Sequence, residues 1–82
     1  MTTFEIRSYS NNGASWEWNG DGWDATGATA DEALEASAKS GDWSAYGAGE
    51  ECCLRAFDAD DEQQGELIFT PNVDEADRHS YY

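Results

Sequence analysis

Over residues 3–9 the chain alternates: Phe4 and Ile6 fall on one side of an extended backbone, Glu5, Arg7 and Tyr9 on the other. A period of two is the signature of a strand with one buried face. Ser10-Asn11-Asn12-Gly13 is strong turn chemistry. A second strand is predicted over 14–18, with Trp16 and Trp18 on one face, and Asn19-Gly20-Asp21-Gly22 reads as a second turn. A third short strand over 23–26 completes a meander, which places Trp16, Trp18 and Trp23 on adjacent strands and on the core face of the sheet.

The period then changes. Thr29-Ala30-Asp31-Glu32 fits a capping box, with Thr29 as N-cap and Glu32 reaching back. Asp31 and Glu32 suit the positive end of a helix dipole. Good helix formers continue to Lys39, and Gly41 ends the run. Ala30, Ala33, Leu34 and Ala38 make a narrow apolar stripe, which leaves Asp31, Glu32 and Glu35 outside. Residues 41–49 read as a loop anchored by Trp43 and Tyr46. A fourth strand is expected over 51–58, an acidic turn over 59–65, and a fifth strand over 66–70 that Pro71 stops. The order β-β-β-α-β-β predicts an α+β fold: an antiparallel four- to five-stranded sheet with one main helix packed on one face. Residues 1–73 are expected to form a single domain and 74–82 a flexible acidic and aromatic C-terminal tail.

Composition sharpens the picture in two ways. Three Phe, four Trp and four Tyr stand beside few aliphatic side chains, so the core of these 82 residues should be shallow and aromatic-centred. Eighteen acids against four bases leave a net charge of −14. The bases Arg7, Lys39, Arg55 and Arg78 are single and scattered. Charge of this sign repels nucleic acid and anionic lipid and attracts basic surfaces. Direct nucleic-acid and membrane binding are therefore not expected, and a basic protein partner is. The start Met1-Thr2-Thr3-Phe4 and the absence of an apolar run of membrane length point to the cytoplasm. Adjacent Cys52 and Cys53 fit free thiols better than a disulfide, one in the core and one partly exposed.

Catalytic chemistry finds little footing. The single His79 lies in the expected tail, and Glu50 and Glu51 beside the two Cys oppose a reactive thiolate. Asp58-Ala59-Asp60-Asp61-Glu62 starts like a calcium loop, but the required Gly and Glu positions hold Gln63 and Phe69. No enzyme activity, metal or cofactor is expected. The acidic clusters carry the functional reading instead. Asp31 and Glu35 stand one helical turn apart, about 5–6 Å between Cβ atoms, roughly the spacing of phosphates along one DNA strand. Asp58, Asp60, Asp61 and Glu62 form a second cluster, Glu50 and Glu51 a third, and Asp21 with Asp24 a fourth. Trp43 and Tyr46, in the loop, are candidate interface anchors. A solvated acidic surface of the kind found in halophilic proteins is the competing explanation.

The stretch from Trp16 to Lys39, with Trp-Glu-Trp, a Gly-rich turn, Trp-Asp-Ala-Thr and then Gly27-Ala28-Thr29-Ala30-Asp31-Glu32-Ala33-Leu34, resembles the strand, turn, strand and capped-helix unit of HicB-like antitoxin domains. That likeness implies a sheet with a helix packed on it and an antitoxin that neutralises a small basic toxin. No basic DNA-binding segment follows it in this chain. In size and acidity the whole chain is similar to small phage-encoded DNA mimics, among them anti-CRISPR and anti-restriction proteins and the uracil-glycosylase inhibitor. This second resemblance implies an inhibitor that occupies the nucleic-acid groove of a target such as a CRISPR effector. The partner-binding residues expected on these grounds are Asp31, Glu32, Glu35, Asp58, Asp60, Asp61 and Glu62, with Trp43 and Tyr46.

Overall fold

The structure, a computed structural model, describes residues 1–72. The elements follow the expected order: β1 (Thr2–Asn11), β2 (Trp16–Trp18), β3 (Trp23–Gly27), α1 (Ala30–Ser40), β4 (Cys52–Phe57) and β5 (Gln63–Phe69). The fold is α+β, one helix on an antiparallel five-stranded sheet. The tail expected over 74–82, and His79 with it, lies outside the described residues.

The meander is not what forms. The sheet runs β2-β1-β4-β5, and β3 pairs with β1 as well. β2 and β3 are two pieces of one interrupted strand laid along the same edge of the ten-residue β1: Tyr9 faces Trp18, and further along Ile6 faces Trp23. Residues 19–22 bulge out between them instead of reversing the chain. Side chains and loop backbone replace the missing ladder there. Ser8 N–H donates to Asp21 Oδ1 at 2.9 Å and the Ser8 hydroxyl to Asp21 Oδ2, while Asn19 N–H donates to Ser8 O at 3.0 Å. The register shifts by two residues across the interruption, so side-chain alternation is preserved. Directly paired residues share a face, so Trp16 and Trp18, opposite Asn11 and Tyr9, point away from the helix, whereas Trp23, opposite Ile6, points under it.

The helix begins as its sequence predicts. Thr29 Oγ1 accepts from Glu32 N–H at 3.2 Å, and the Glu32 carboxylate reaches one residue past the cap to Ala28 N–H at 3.0 Å. Its buried stripe of Ala33, Leu34, Ser37 and Ala38 is narrow, so the helix can approach the sheet closely. Two glycines make that approach possible. A Cβ on Gly65 would sit 3.1 Å from Leu34 Cδ1 and 3.2 Å from Ala30 Cβ. On Gly27 it would sit 2.8 Å from the backbone nitrogen of Ala33 and 2.9 Å from Thr29 O, atoms that cannot rotate away. Gly27→Ala should therefore cost about 1–3 kcal/mol, read as a lower urea midpoint with unchanged m-value. An unchanged midpoint would mean that the helix start does not pack as described.

The core is aliphatic at its centre and aromatic at its rim, the reverse of the expected order. Ile6, Leu34, Leu54 and Cys52 are its largest fully buried side chains, while Cys53, equally buried, lies on the other face of the sheet. Phe4 and Phe69 flank them, and Trp23, Trp43 and Tyr46 are half-buried around them. A single helix on a single sheet leaves too thin a layer to sink an indole. Trp23 donates from Nε1 to the buried Ser37 hydroxyl at 3.1 Å, which satisfies both groups.

No helix covers the other face of the sheet among the described residues. The register places Trp18, Tyr9, Cys53 and Ile68 in one row across four strands, with Arg7, Arg55 and Glu66 in the next. The guanidinium groups lie over this apolar row and its neighbours. Arg7 stands 4.1 Å from the Phe57 ring centroid and 5.4 Å from that of Trp18, and Arg55 stands 4.4 Å from that of Tyr9. Both are ion-paired, Arg7 with Glu5 and Asp61, Arg55 with Glu66 at 2.9 Å. Hydrogen bonding to Glu5, working against burial, holds the Arg7 pKa above its ordinary value, and Asp61 adds to it.

Candidate functional site

The topology gathers acids at the end of the sheet where the helix starts. Glu5 on β1 faces Asp24 on β3 directly, a like-charge cross-strand pair, and Glu5 also faces Phe57 beside the β4–β5 turn. Glu5, Asp24, Asp58 and Asp61 line one open cleft of about 250 Å³. The first helical turn stands over β5 beside the same turn, with Asp31 Oδ1 3.6 Å from where a Cβ on Gly65 would lie. Glu5 was not among the acids expected to contribute, and Asp24 was grouped only with Asp21. The cross-strand register alone reveals both.

The seven expected acids divide by what their carboxylates already do. Asp58 shapes its own turn: its side chain accepts from Asp60 N–H at 2.9 Å, Glu62 N–H at 3.0 Å and Gln64 Nε2 at 2.8 Å. That turn is tighter than the sequence suggests, and β5 accordingly starts at Gln63 rather than at residue 66, with an irregular register opposite Ala56 and Phe57. Asp61, at φ 65, pairs with Arg7, and Glu32 caps the helix. The remaining four, Asp31, Glu35, Asp60 and Glu62, are exposed, and their carboxylates form no ion pair or hydrogen bond among the described residues.

Trp43 and Tyr46 do not stand free in the loop. The Trp43 ring packs edge-on against Phe69, centroids 5.3 Å apart, and its Nε1–H donates to Ala38 O at 2.9 Å. Asn72 clamps the loop by donating to Trp43 O at 2.6 Å and Tyr46 O at 2.8 Å. The two rings instead form the wall of a second open cleft, of about 340 Å³, at the opposite end of the sheet. Its floor is polar: Ser8, Ser10, Asn19 and Asp21. Asp42 and Glu50 stand at its rim. The Ser44 backbone N–H and hydroxyl hold the Asp42 carboxyl below its ordinary pKa.

Cys52 and Cys53 are both buried and unpaired, so the exposed member of the expected pair is absent. Burial raises both thiols, and Cys53, beside Glu66 and against the pull of Arg55, is pushed up to about 11 from 9.0. Thiolate is therefore disfavoured at both. For an acid whose folded pKa lies above its unfolded value, the stabilisation is present below the unfolded pKa and disappears as pH rises through the folded one. Melting temperature should fall between pH 9 and 11 as the unfolded state alone ionises, and Cys53→Ser should flatten that fall; an equally steep fall in the variant would assign it elsewhere.

Among the described residues, no three His, Cys, Asp or Glu side chains converge closely enough to hold a metal ion, and no helix is long and apolar enough to cross a membrane. Comparison with protein-family models, curated proteins and solved structures found no match.

Proposed function

We propose that this chain is a cytoplasmic inhibitor that binds the basic, nucleic-acid-binding surface of a protein or complex and keeps nucleic acid off it. One observation carries the reading: Asp31, Glu35, Asp60 and Glu62 are exposed, their carboxylates form no ion pair or hydrogen bond among the described residues, and Asp60 and Glu62 share the β4–β5 turn with Asp58 and Asp61 of the acidic cleft. Exposed carboxylates that form no ion pair among the described residues stand in for phosphates. Opposed by a groove of Lys and Arg, they would speed association and make it salt-sensitive. Both described arginines are ion-paired to other carboxylates, Arg7 to Glu5 and Asp61 and Arg55 to Glu66. A CRISPR effector, with its positively charged nucleic-acid channel, is the kind of target this surface suits.

The test is capture by the tagged chain from a bacterial lysate at low ionic strength, followed by a salt step. The expected result is recovery of a nucleic-acid-binding protein that releases within a few tenths molar salt, as screening of exposed charges requires. Recovery of a small basic toxin would replace this reading with a HicB-like antitoxin. No salt-sensitive partner, together with unfolding of the chain at low salt, would make the acidity an adaptation to brine.

A further inference from the structure

We infer that the cleft walled by Trp43 and Tyr46 is a receptor for one arginine side chain of the protein partner. The inference rests on the proposed binding of a basic protein surface only for the source of that side chain. The cleft lies at the end of the sheet opposite the phosphate-mimicking carboxylates.

The hydrogen bonds inside the cleft decide the ligand class. Its donors are spent within the protein. The Ser8 hydroxyl donates to Asp21, the Ser10 hydroxyl to Asn19 Oδ1 at 2.9 Å, and Asn19 Nδ2 to Ser8 Oγ at 2.9 Å and to Tyr46 Oη at 3.0 Å. Trp43 Nε1–H is turned away to Ala38 O. The Tyr46 hydroxyl also engages Cys52 and Ser10, and burial raises its pKa, so it remains a neutral phenol. What the cleft still offers is acceptor capacity: the carboxylates of Asp42, held by the Ser44 backbone N–H at 3.0 Å and the Ser44 hydroxyl, and of Glu50, held by the Gly47 N–H at 3.3 Å. An anion would meet the two carboxylates, and the side-chain donors named above are already bonded. A donor-only group does, and Arg and Lys are the donor-only cations of proteins.

Shape and the aromatic wall choose between them. A bare metal ion is not suited, since no three ligating side chains converge among the described residues. A volume of about 340 Å³ is at the small end for ligand sites and suits a single long side chain. The Trp43 and Tyr46 rings, centroids 6.1 Å apart and crossed at 75°, present aromatic surface beside the two carboxylates. A planar guanidinium can lie against a ring and direct its N–H groups in-plane to carboxylates, which a hydrated ammonium does less well. The wall is also pre-organised: Asn72 ties Trp43 and Tyr46 to each other, and Gly49 N–H donates to Asn72 O at 2.7 Å. Little ordering is left for binding to impose.

The experiment titrates N-acetyl-arginine methylamide into the labelled protein and follows the Trp43 indole and the Ser44 and Gly47 amide resonances, with the citrulline and lysine analogues as comparisons. The expected result is saturable shifts confined to the cleft, with affinity of about millimolar order for the arginine probe and about tenfold weaker or undetectable for neutral citrulline. Lysine should fall between. Asp42→Asn and Glu50→Gln keep the acceptors that bond Ser44 and Gly47, so the fold should survive; together they should weaken the arginine probe about tenfold or more. Equal binding of arginine and citrulline, shifts centred on the helix and β4–β5 turn instead, or no saturable shift would each overturn the assignment. The probe needs no partner protein. Failure of partner capture and failure of this cleft are therefore read separately.

Discussion

Neutralising the four unpartnered carboxylates together, by Asp31→Asn, Glu35→Gln, Asp60→Asn and Glu62→Gln, will weaken capture of the basic partner by about a hundredfold at low salt, on the basis of a few tenths to one kcal/mol for each exposed charge pair. The change moves the net charge from −14 to −14 + 4 = −10, so most of the chain's overall negative charge survives. A nonspecific electrostatic attraction would therefore fall only modestly, whereas a geometrically matched surface would be lost. Stability should change little, because none of the four carboxylates holds a hydrogen bond or ion pair among the described residues and the relief of like-charge repulsion offsets the loss of Asp31 from the first helical turn. A control triple change at Asp58, Asp61 and Glu32 should behave differently. Those side chains shape the turn, pair with Arg7 and cap the helix, so their neutralisation lowers the melting temperature. Surface-plasmon capture at several ionic strengths, alongside thermal melts of both variants, reads the two effects apart. Retention of full affinity by the fourfold variant would remove the helix and turn from the interface.

Leu34→Ala will cost about 3 kcal/mol, within the range for buried leucines. For a chain of this length that is a large share of a total of roughly 4–12 kcal/mol. Leu34 is 1% exposed and is the one large apolar side chain on the buried stripe of α1. Its Cδ1 lies over Gly65, where the helix approaches β5 most closely. The flanking Ala33 and Ala38 cannot refill the space by changing rotamer. Urea denaturation should show a lower midpoint, and at 37 °C the variant should populate unfolded chain. A loss under about 1 kcal/mol would mean that the helix is not held to the sheet through this side chain.

The parts of the fold that were legible in the sequence are those set by local chemistry. Thr29 and Glu32 announce the helix start, the spacing of Ala33, Leu34 and Ala38 gives most of its buried stripe, with Ala30 half-buried and Ser37 added, and the alternation of Phe4 and Ile6 gives the inner face of β1. What was not legible depends on pairing. Asn19-Gly20-Asp21-Gly22 has the composition of a reversing turn, yet the length of β1 lets the chain continue along the same edge, with Asp21 bonding Ser8 in place of a ladder partner. That choice sends Trp16 and Trp18 to one face and Trp23 to the other. Strand register likewise brings Glu5 to Asp24, residues far apart in the chain. Residue type alone did not separate Asp58, which holds a turn together, from Asp60, which does not. Trp43 and Tyr46 were singled out as loop anchors without any sign that Asn72 would bind them into the wall of a cleft.

The most direct test of the central claim is displacement. A fluorescent duplex bound to the captured partner is titrated with this chain, and anisotropy reports the duplex that remains bound. The account predicts competitive release of the duplex by the wild-type chain, strongest at low salt, and little release by the fourfold neutralised variant at the same concentration. A ternary complex, in which the chain and the duplex occupy the partner together with no loss of anisotropy, would contradict it.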